Sequence, residues 1–175
     1  MSVNKIDYTV WYTWDGQNIP KEEEVYFSLE LLENGDLDIK IEAPFHDDPA
    51  PRGEKGSFWG LWEYEVAEIF LVGEDGHYTE LEFSPHGHYL TLRLDAPRSV
   101  IAKEEFLQYQ AKIIGTRWKG HSIVPKKLLP FSIHRVNCFA IHGQDEDRRY
   151  LTHWPLSGDK PDFHQPRYFP LFPKG

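Results

Sequence analysis

Leu61-Trp-Glu-Tyr-Glu-Val-Ala-Glu-Ile-Phe-Leu-Val-Gly73 is the stretch that decides the fold. Side chains along a strand alternate between two faces, so Trp62, Tyr64, Val66, Glu68 and Phe70 share one face. Glu65, Ala67, Ile69 and Leu71 share the other. Both faces are largely apolar, which predicts a strand covered on both sides. A carboxylate in such a row is costly unless it finds partners. Glu68 is therefore either neutralised structurally or set in the floor of a polar cleft.

Working outward, the chain is punctuated like an all-β protein. Residues 6–14 alternate and end at Asp15-Gly16. Val25, Phe27, Leu29 and Leu31 alternate with polar residues, and Asn34-Gly35 then signals a hairpin whose second arm is Leu37, Ile39, Ile41 and Ala43. A Pro- and Gly-rich loop from Pro44 to Gly60 leads into the central strand; loops of this length are often functional. Strands over 62–72, 77–84 and 88–95, parted by Asp75-Gly76 and His86-Gly87, read as an antiparallel meander. Further strands are expected over 108–114, 117–124 and 136–142, with a short helical turn near Pro125–Leu129. The aromatic, Pro-rich tail from Trp154 is expected to wrap the fold. The pattern predicts one antiparallel β-sandwich over residues 1–175.

Bulk properties exclude several function classes. With 19 Lys plus Arg against 28 Asp plus Glu, the formal charge is −9, and no basic block is present. Nucleic-acid and anionic-membrane binding both lack their electrostatic basis. No apolar run approaches the roughly 20 residues of a membrane span, and residues 1–8 lack the apolar core of a secretory signal. One cysteine, Cys138, precludes an internal disulfide framework. A soluble cytoplasmic protein is the expectation.

Chemistry-bearing groups are sparse in pattern. On strand 77–84, Tyr78, Glu80, Glu82 and Ser84 face one way. If His86-Gly87 is a two-residue turn, Glu82 lies opposite Thr91 and Glu80 opposite Arg93, a polar surface of carboxylate acceptors and a guanidinium fork. The bland reading of that surface is a solvated face with ordinary ion pairs. Nine histidines fall in no zinc spacing, and Asp47-Asp48 begins no calcium loop, so no metal and no cofactor are expected. Signatures of a nucleophile elbow, a phosphate loop or a dinucleotide site are absent.

Five segments, in order, carry a resemblance: Ala43-Pro-Phe-His-Asp-Asp-Pro-Ala-Pro-Arg-Gly53, Leu61-Trp-Glu-Tyr-Glu-Val-Ala-Glu68, Glu82-Phe-Ser-Pro-His-Gly-His88, Phe139-Ala-Ile-His-Gly143 and Lys160-Pro-Asp-Phe-His164. The chain resembles, over nearly its whole length, an uncharacterised family of animals and bacteria named after a human open reading frame. That family is similar in turn to family-nine carbohydrate-binding modules and to sandwiches like the N-terminal domain of dopamine-β-monooxygenase (DOMON). The second likeness rests on Val66-Ala-Glu-Ile-Phe70, Trp118-Lys-Gly-His-Ser-Ile-Val-Pro125, Asn137-Cys-Phe-Ala-Ile141 and Trp154-Pro155. It implies a sugar held between two aromatic rings, Trp62 and Trp154, with Glu68 accepting hydroxyls. Arg93, chosen by its facing, is the expected basic partner. Some DOMON relatives bind haem, but the sole methionine is Met1, which leaves no Met–His axial pair.

The leading expectation is non-catalytic binding of a small carbohydrate or polyol-like ligand by Trp62, Glu68, Glu80, Glu82, Arg93, His142 and Trp154. Two alternatives stay open: an enzyme acting on a sugar-like substrate, with Glu68 or His142 as acid or base, and a ligand-free interaction scaffold. Oligomeric state is not legible from the sequence.

Overall fold

The computed structural model describes residues 5–174. Its strands are β1 (Lys5–Val10), β2 (Tyr12–Thr13), β3 (Val25–Leu31), β4 (Leu37–Pro44), β5 (Gly56–Ser57), β6 (Val66–Gly73), β7 (Tyr78–Phe83), β8 (His88–Ala96), β9 (Ser99–Glu104), β10 (Gln108–Ile114), β11 (Arg117–Val124), β12 (Ile133–His142) and β13 (Arg149–Thr152). Helical structure among the described residues is confined to short 3₁₀ turns, including the expected one at Lys126–Leu128. Two sheets form an all-β, largely antiparallel sandwich. One runs β1-β3-β4-β11-β10; the other runs β2-β13-β12-β6-β7-β8-β5, with β9 paired to β8.

The alternating strands build the core between the sheets. Val25, Phe27 and Leu29 of β3 and Leu37, Ile39 and Ile41 of β4 point inward. They meet Ala67, Ile69 and Leu71 of β6, Leu81 and Phe83 of β7, and Val136 and Cys138 of β12. Each such large side chain gains roughly 1.5–3 kcal/mol on burial. Cys138 is unpaired and buried here.

A second apolar layer lies on the outer face of the larger sheet. Val66 and Phe70, Leu90, Leu92 and Leu94, and Phe139 and Ile141 are covered by Leu61, Leu156, Phe163 and Phe169. Every residue of β6 is consequently buried, as two apolar faces require. The tail does wrap the sandwich, and it carries Phe163 and Phe169 into this layer.

Three local expectations are corrected. Residues 6–14 are not one strand: the chain changes sheets at Trp11, with β1 in the smaller sheet and β2 in the larger. The central strand begins at Val66, because Leu61–Glu63 forms a 3₁₀ turn after Gly60, whose φ of 86° is left-handed. The β7–β8 connection is longer than two residues. Ser84 N–H bonds the carbonyl of His88 at 3.0 Å, leaving Pro85-His86-Gly87 as a three-residue loop with Gly87 at φ 91°. The register moves by one: Glu82 pairs with Leu90, Glu80 with Leu92, and Arg93 with Thr79. A one-residue slip puts a side chain on the other face. Arg93 therefore points away from Glu80 and is bound by Glu104, at 3.1 Å from Nε.

Candidate functional site

The outer layer is interrupted by a cavity of about 820 Å³. Its floor is sheet: Glu68 and Phe70 of β6, Glu80 of β7, and Leu92 and Leu94 of β8. Its walls come from four separate segments, one of them the β8–β9 hairpin with Arg98 and Val100. Trp59 and Trp62 flank Gly60, their rings edge to face at 5.2 Å. Asp145 and Arg148 rise from the β12–β13 connection and Tyr150 from β13. Pro161 to His164 descend from the tail. Leu61, fully buried, pins the turn that presents both tryptophans.

Arg148 ties two of these segments together. Its guanidinium donates to the carbonyls of Gly143, at 2.9 Å, and of Trp62. Arg98 is the second guanidinium. It donates to Asp162 Oδ1 at 2.8 Å, and Asp162 also accepts the His164 N–H. The Tyr78 hydroxyl lies 2.7 Å from His164 Nδ1 and receives the Arg98 N–H at 3.3 Å. With the hydroxyl donating to Nδ1, the His164 proton resides on Nε2. That nitrogen stands 3.8 Å from Glu80 Oε2.

The floor is electrostatically unusual. Glu68 sits directly across from Glu82, and Glu80 follows two residues along the same strand. Oxygens of all three carboxylates lie within 4.8 Å of one another. Among the described residues, no donor outside the three carboxyls bonds Glu68 Oε1, Glu80 Oε2 or either Glu82 oxygen. Burial raises all three carboxyls. Glu68 is held well above the ordinary range by burial and then by Glu80, with Arg148 opposing. Glu82 is likewise raised by burial, then by Glu68 and Glu80. Burial pushes Glu80 up to about 7, against the lowering effect of a hydrogen bond shared with Glu82 and the charge of Arg98. His164 is pushed down to about 4, chiefly by burial, and is a neutral imidazole at neutral pH.

Of the residues singled out from sequence, Trp62, Glu68 and Glu80 line this cavity, and Glu82 lies buried behind them. Arg93, His142 and Trp154 do not line it. His142 faces the space between the sheets, because it alternates with Ile141 on β12; it bonds Glu23 Oε1 at 2.8 Å and stacks on His46 at 3.5 Å. Trp154 is half exposed, its carbonyl taken by the Asn137 amide at 3.0 Å. The ring against Trp62 is Trp59. Sequence reading missed Trp59, Arg98, Arg148, Tyr150 and Phe163. Asp162 and His164 lie in the Lys160-Pro-Asp-Phe-His164 segment of the family resemblance, but nothing in the sequence places that segment over β7.

These features define an all-β sandwich with an aromatic-rimmed, carboxylate-floored cavity on one sheet. The chain belongs to the UPF0462 family. It is 38% identical to the UPF0462 protein C4orf33 homolog of Mus musculus, over 95% of this chain and 91% of that protein. It is 37% identical to UPF0462 protein C4orf33 of Homo sapiens, over 95% and 87%, and 35% identical to the Danio rerio homolog, over 95% and 88%. No family model matches the chain. Among solved structures, the fold is similar to that of a protein from Bacteroides uniformis described as a putative carbohydrate-binding protein. The TM-score is 0.67 at 14% identity, covering 95% of this chain and 84% of that one. Among the described residues, no helix is long and apolar enough to cross a membrane.

Proposed function

We propose that the cavity binds a small carbohydrate or similar polyol without transforming it. The observation that carries this reading is a set of buried acceptors that lack donors, at the base of an aromatic-rimmed cavity. Glu68 and Glu80 present oxygens that the protein leaves unbonded, and a polyol brings hydroxyl donors to them. The His164 Nε2–H beside Glu80 adds a donor next to an acceptor. One ligand hydroxyl placed between them would give its proton to the carboxylate and accept from the imidazole. Trp59 and Trp62 supply apolar ring surface for the C–H face of a sugar. The volume falls in the range of small-molecule sites, roughly 300–1,000 Å³. The described likeness of the Bacteroides uniformis protein points the same way. A cytoplasmic setting is part of the proposal, as is action by one domain.

A second reading, acid–base catalysis on a sugar-like substrate, is favoured by one observation: Glu80 titrates near 7 beside a neutral His164. In that reading His164 takes the place given to His142, which Glu23 holds outside the cavity.

Thermal-shift screening of mono- and disaccharides and polyols, followed by calorimetry, tests the binding reading. A hit whose affinity falls in Trp59→Ala and Glu80→Gln, with the ligand recovered unchanged, supports it. Consumption of the ligand supports the catalytic reading. Absence of any hit across the panel removes both and leaves the scaffold alternative.

A further inference from the structure

We propose that Glu68, Glu80 and Glu82 together bind one hard divalent cation beneath the cavity floor. Their oxygens lie within 4.8 Å of one another, the widest separation available to two ligands of a Ca²⁺ ion bound at about 2.4 Å from each. An all-carboxylate donor set selects Ca²⁺, Mg²⁺ or Mn²⁺ over the softer transition metals.

Proximity of acids alone would not carry this, since acidic clusters commonly hold nothing. The deciding observation is Glu82. It is fully buried, its oxygens meet no donor outside the three carboxyls, their one link being the hydrogen bond shared with Glu80, and it does not line the cavity. A sugar hydroxyl reaching Glu68 and Glu80 has no route to it. Whatever satisfies Glu82 must be small and lie between the three carboxylates: a proton shared with Glu80, a buried water, or a cation, and of these the cation alone offsets several carboxylate charges at once. Guanidinium does not fill the role. Among the described residues, no Lys or Arg nitrogen comes within 4.0 Å of any of the three, while Arg98 is spent on Asp162 and Arg148 on backbone carbonyls. Glu68 and Glu80 line the cavity, so the cluster lies directly beneath it. Water or a ligand hydroxyl entering from the cavity would complete its coordination.

Sequence reading found no metal pattern because the ligands do not lie in one loop. Glu80 and Glu82 come from one face of β7, and Glu68 from the facing position on β6. The pairing that unites them is long-range.

Protons and the cation compete for the same oxygens, so binding must release protons and tighten as pH rises. The titratable or charged groups that face the cluster from the elements packed around it include Tyr78 on the same strand, His164 and Asp162 from the tail, Arg98, and Glu63, Asp145, Arg148 and Tyr150 on the cavity wall. His164 is already neutral from pH 6 to 8, and the oxygens for which protons and cation compete are those of the three carboxyls.

The test uses the full chain, dialysed against EDTA, then titrated with CaCl₂, MgCl₂ or MnCl₂ at pH 6 and pH 8 by calorimetry and thermal melting, with no sugar present. The expected result is one ion per chain, a raised Tm and affinity about tenfold or more tighter at pH 8. Binding should be lost in Glu82→Gln. Should that variant fail to fold, Glu80→Gln serves instead, with Glu146→Gln as a control that keeps binding. Two results would overturn the proposal: no heat and no shift with all three ions at both pH values, or binding unchanged in the carboxylate variants. Because sugar is absent throughout, failure here leaves the proposed ligand untouched, and failure of the sugar panel leaves the cation site untouched.

Discussion

Glu68 and Glu82 stand directly opposite each other on β6 and β7, with both carboxyls buried on the sheet's outer face. Like charges in that position repel, and in a low-dielectric surrounding neither ionises readily. The arrangement sets a pH dependence. Burial pushes the neighbouring Glu80 carboxyl up to about 7 in the folded state, against an ordinary 4.5. Between those values the native state holds more protons than the unfolded chain. Stability from this group is therefore greatest below about 4.5 and declines as pH rises through about 7.

Replacing Glu80 by Gln removes the titration while keeping the shape. In EDTA, Glu80→Gln is expected to match the wild type near pH 5 and to exceed it by about 1–3 kcal/mol at pH 8. Urea unfolding at the two pH values measures the difference. An advantage that is the same at both pH values would mean that the carboxyl does not titrate as described.

Glu23 behaves in the opposite sense. Burial alone would raise its pKa, but hydrogen bonds from His142 and Arg149 bring it down to about 2. Arg149 reaches both oxygens at 2.7 Å, and His142 reaches one at 2.8 Å. A lowered carboxylate stabilises above its unfolded value of 4.5, and that contribution fades as pH falls toward 2. Glu23→Gln is expected to cost about 1–2 kcal/mol at pH 7 and little near pH 2.5, read as the gap between the two denaturation midpoints.

Trp59 is 56% exposed and stands at the cavity rim. Its replacement by Ala is expected to change stability by no more than about 0.5 kcal/mol, the ordinary range for a surface site. Binding of the sugar found in the screen should weaken by about tenfold or more. Phe163→Ala is the contrast. That side chain stacks on Phe139 at 4.1 Å and is buried, so a loss of about 3 kcal/mol or more is expected, visible as a lower Tm.

How far the sequence leads depends on the range of the interaction. Short-range signals were legible. Two apolar faces on β6 announced a doubly covered strand, and Asn34-Gly35, Asp75-Gly76 and His86-Gly87 marked turns that exist. What failed was one residue of loop length. His86-Gly87 reads equally as a two-residue turn or the end of a three-residue loop, and only the second places Arg93 opposite Thr79. The site was less legible than the fold, because its walls meet only in three dimensions. Glu68, Glu80 and Glu82 could be placed on faces by alternation. The Arg148 and His164 side chains join them through contacts 86 residues apart, from Arg148 to the Trp62 carbonyl and from His164 to Tyr78. Trp154 and His142 carried a plausible motif or position, but β12 turns His142 between the sheets, and Trp154, past the end of β13, does not line the cavity.

The connection that positions Arg148 rests on one glycine. Gly143 has φ 82°, a left-handed backbone that L side chains rarely adopt. A Cβ built there would overlap the Asp147 carbonyl oxygen, which is backbone and cannot swing aside. The Gly143 N–H also bonds Asp48 Oδ2 at 2.7 Å, and its carbonyl receives the Arg148 guanidinium. Gly143→Ala must therefore shift residues 143–148 and with them the hold of Arg148 on the Trp62 carbonyl. Gly53 is a suitable comparison: its φ is 92°, but open space surrounds the added carbon. Gly53→Ala should show backbone strain alone, about 1 kcal/mol. Gly143→Ala should cost about 2 kcal/mol more and, unlike Gly53→Ala, weaken the ligand found in the screen. Equal losses in the two variants, measured by urea unfolding, would show that the turn accommodates the methyl group and that Arg148 does not depend on it.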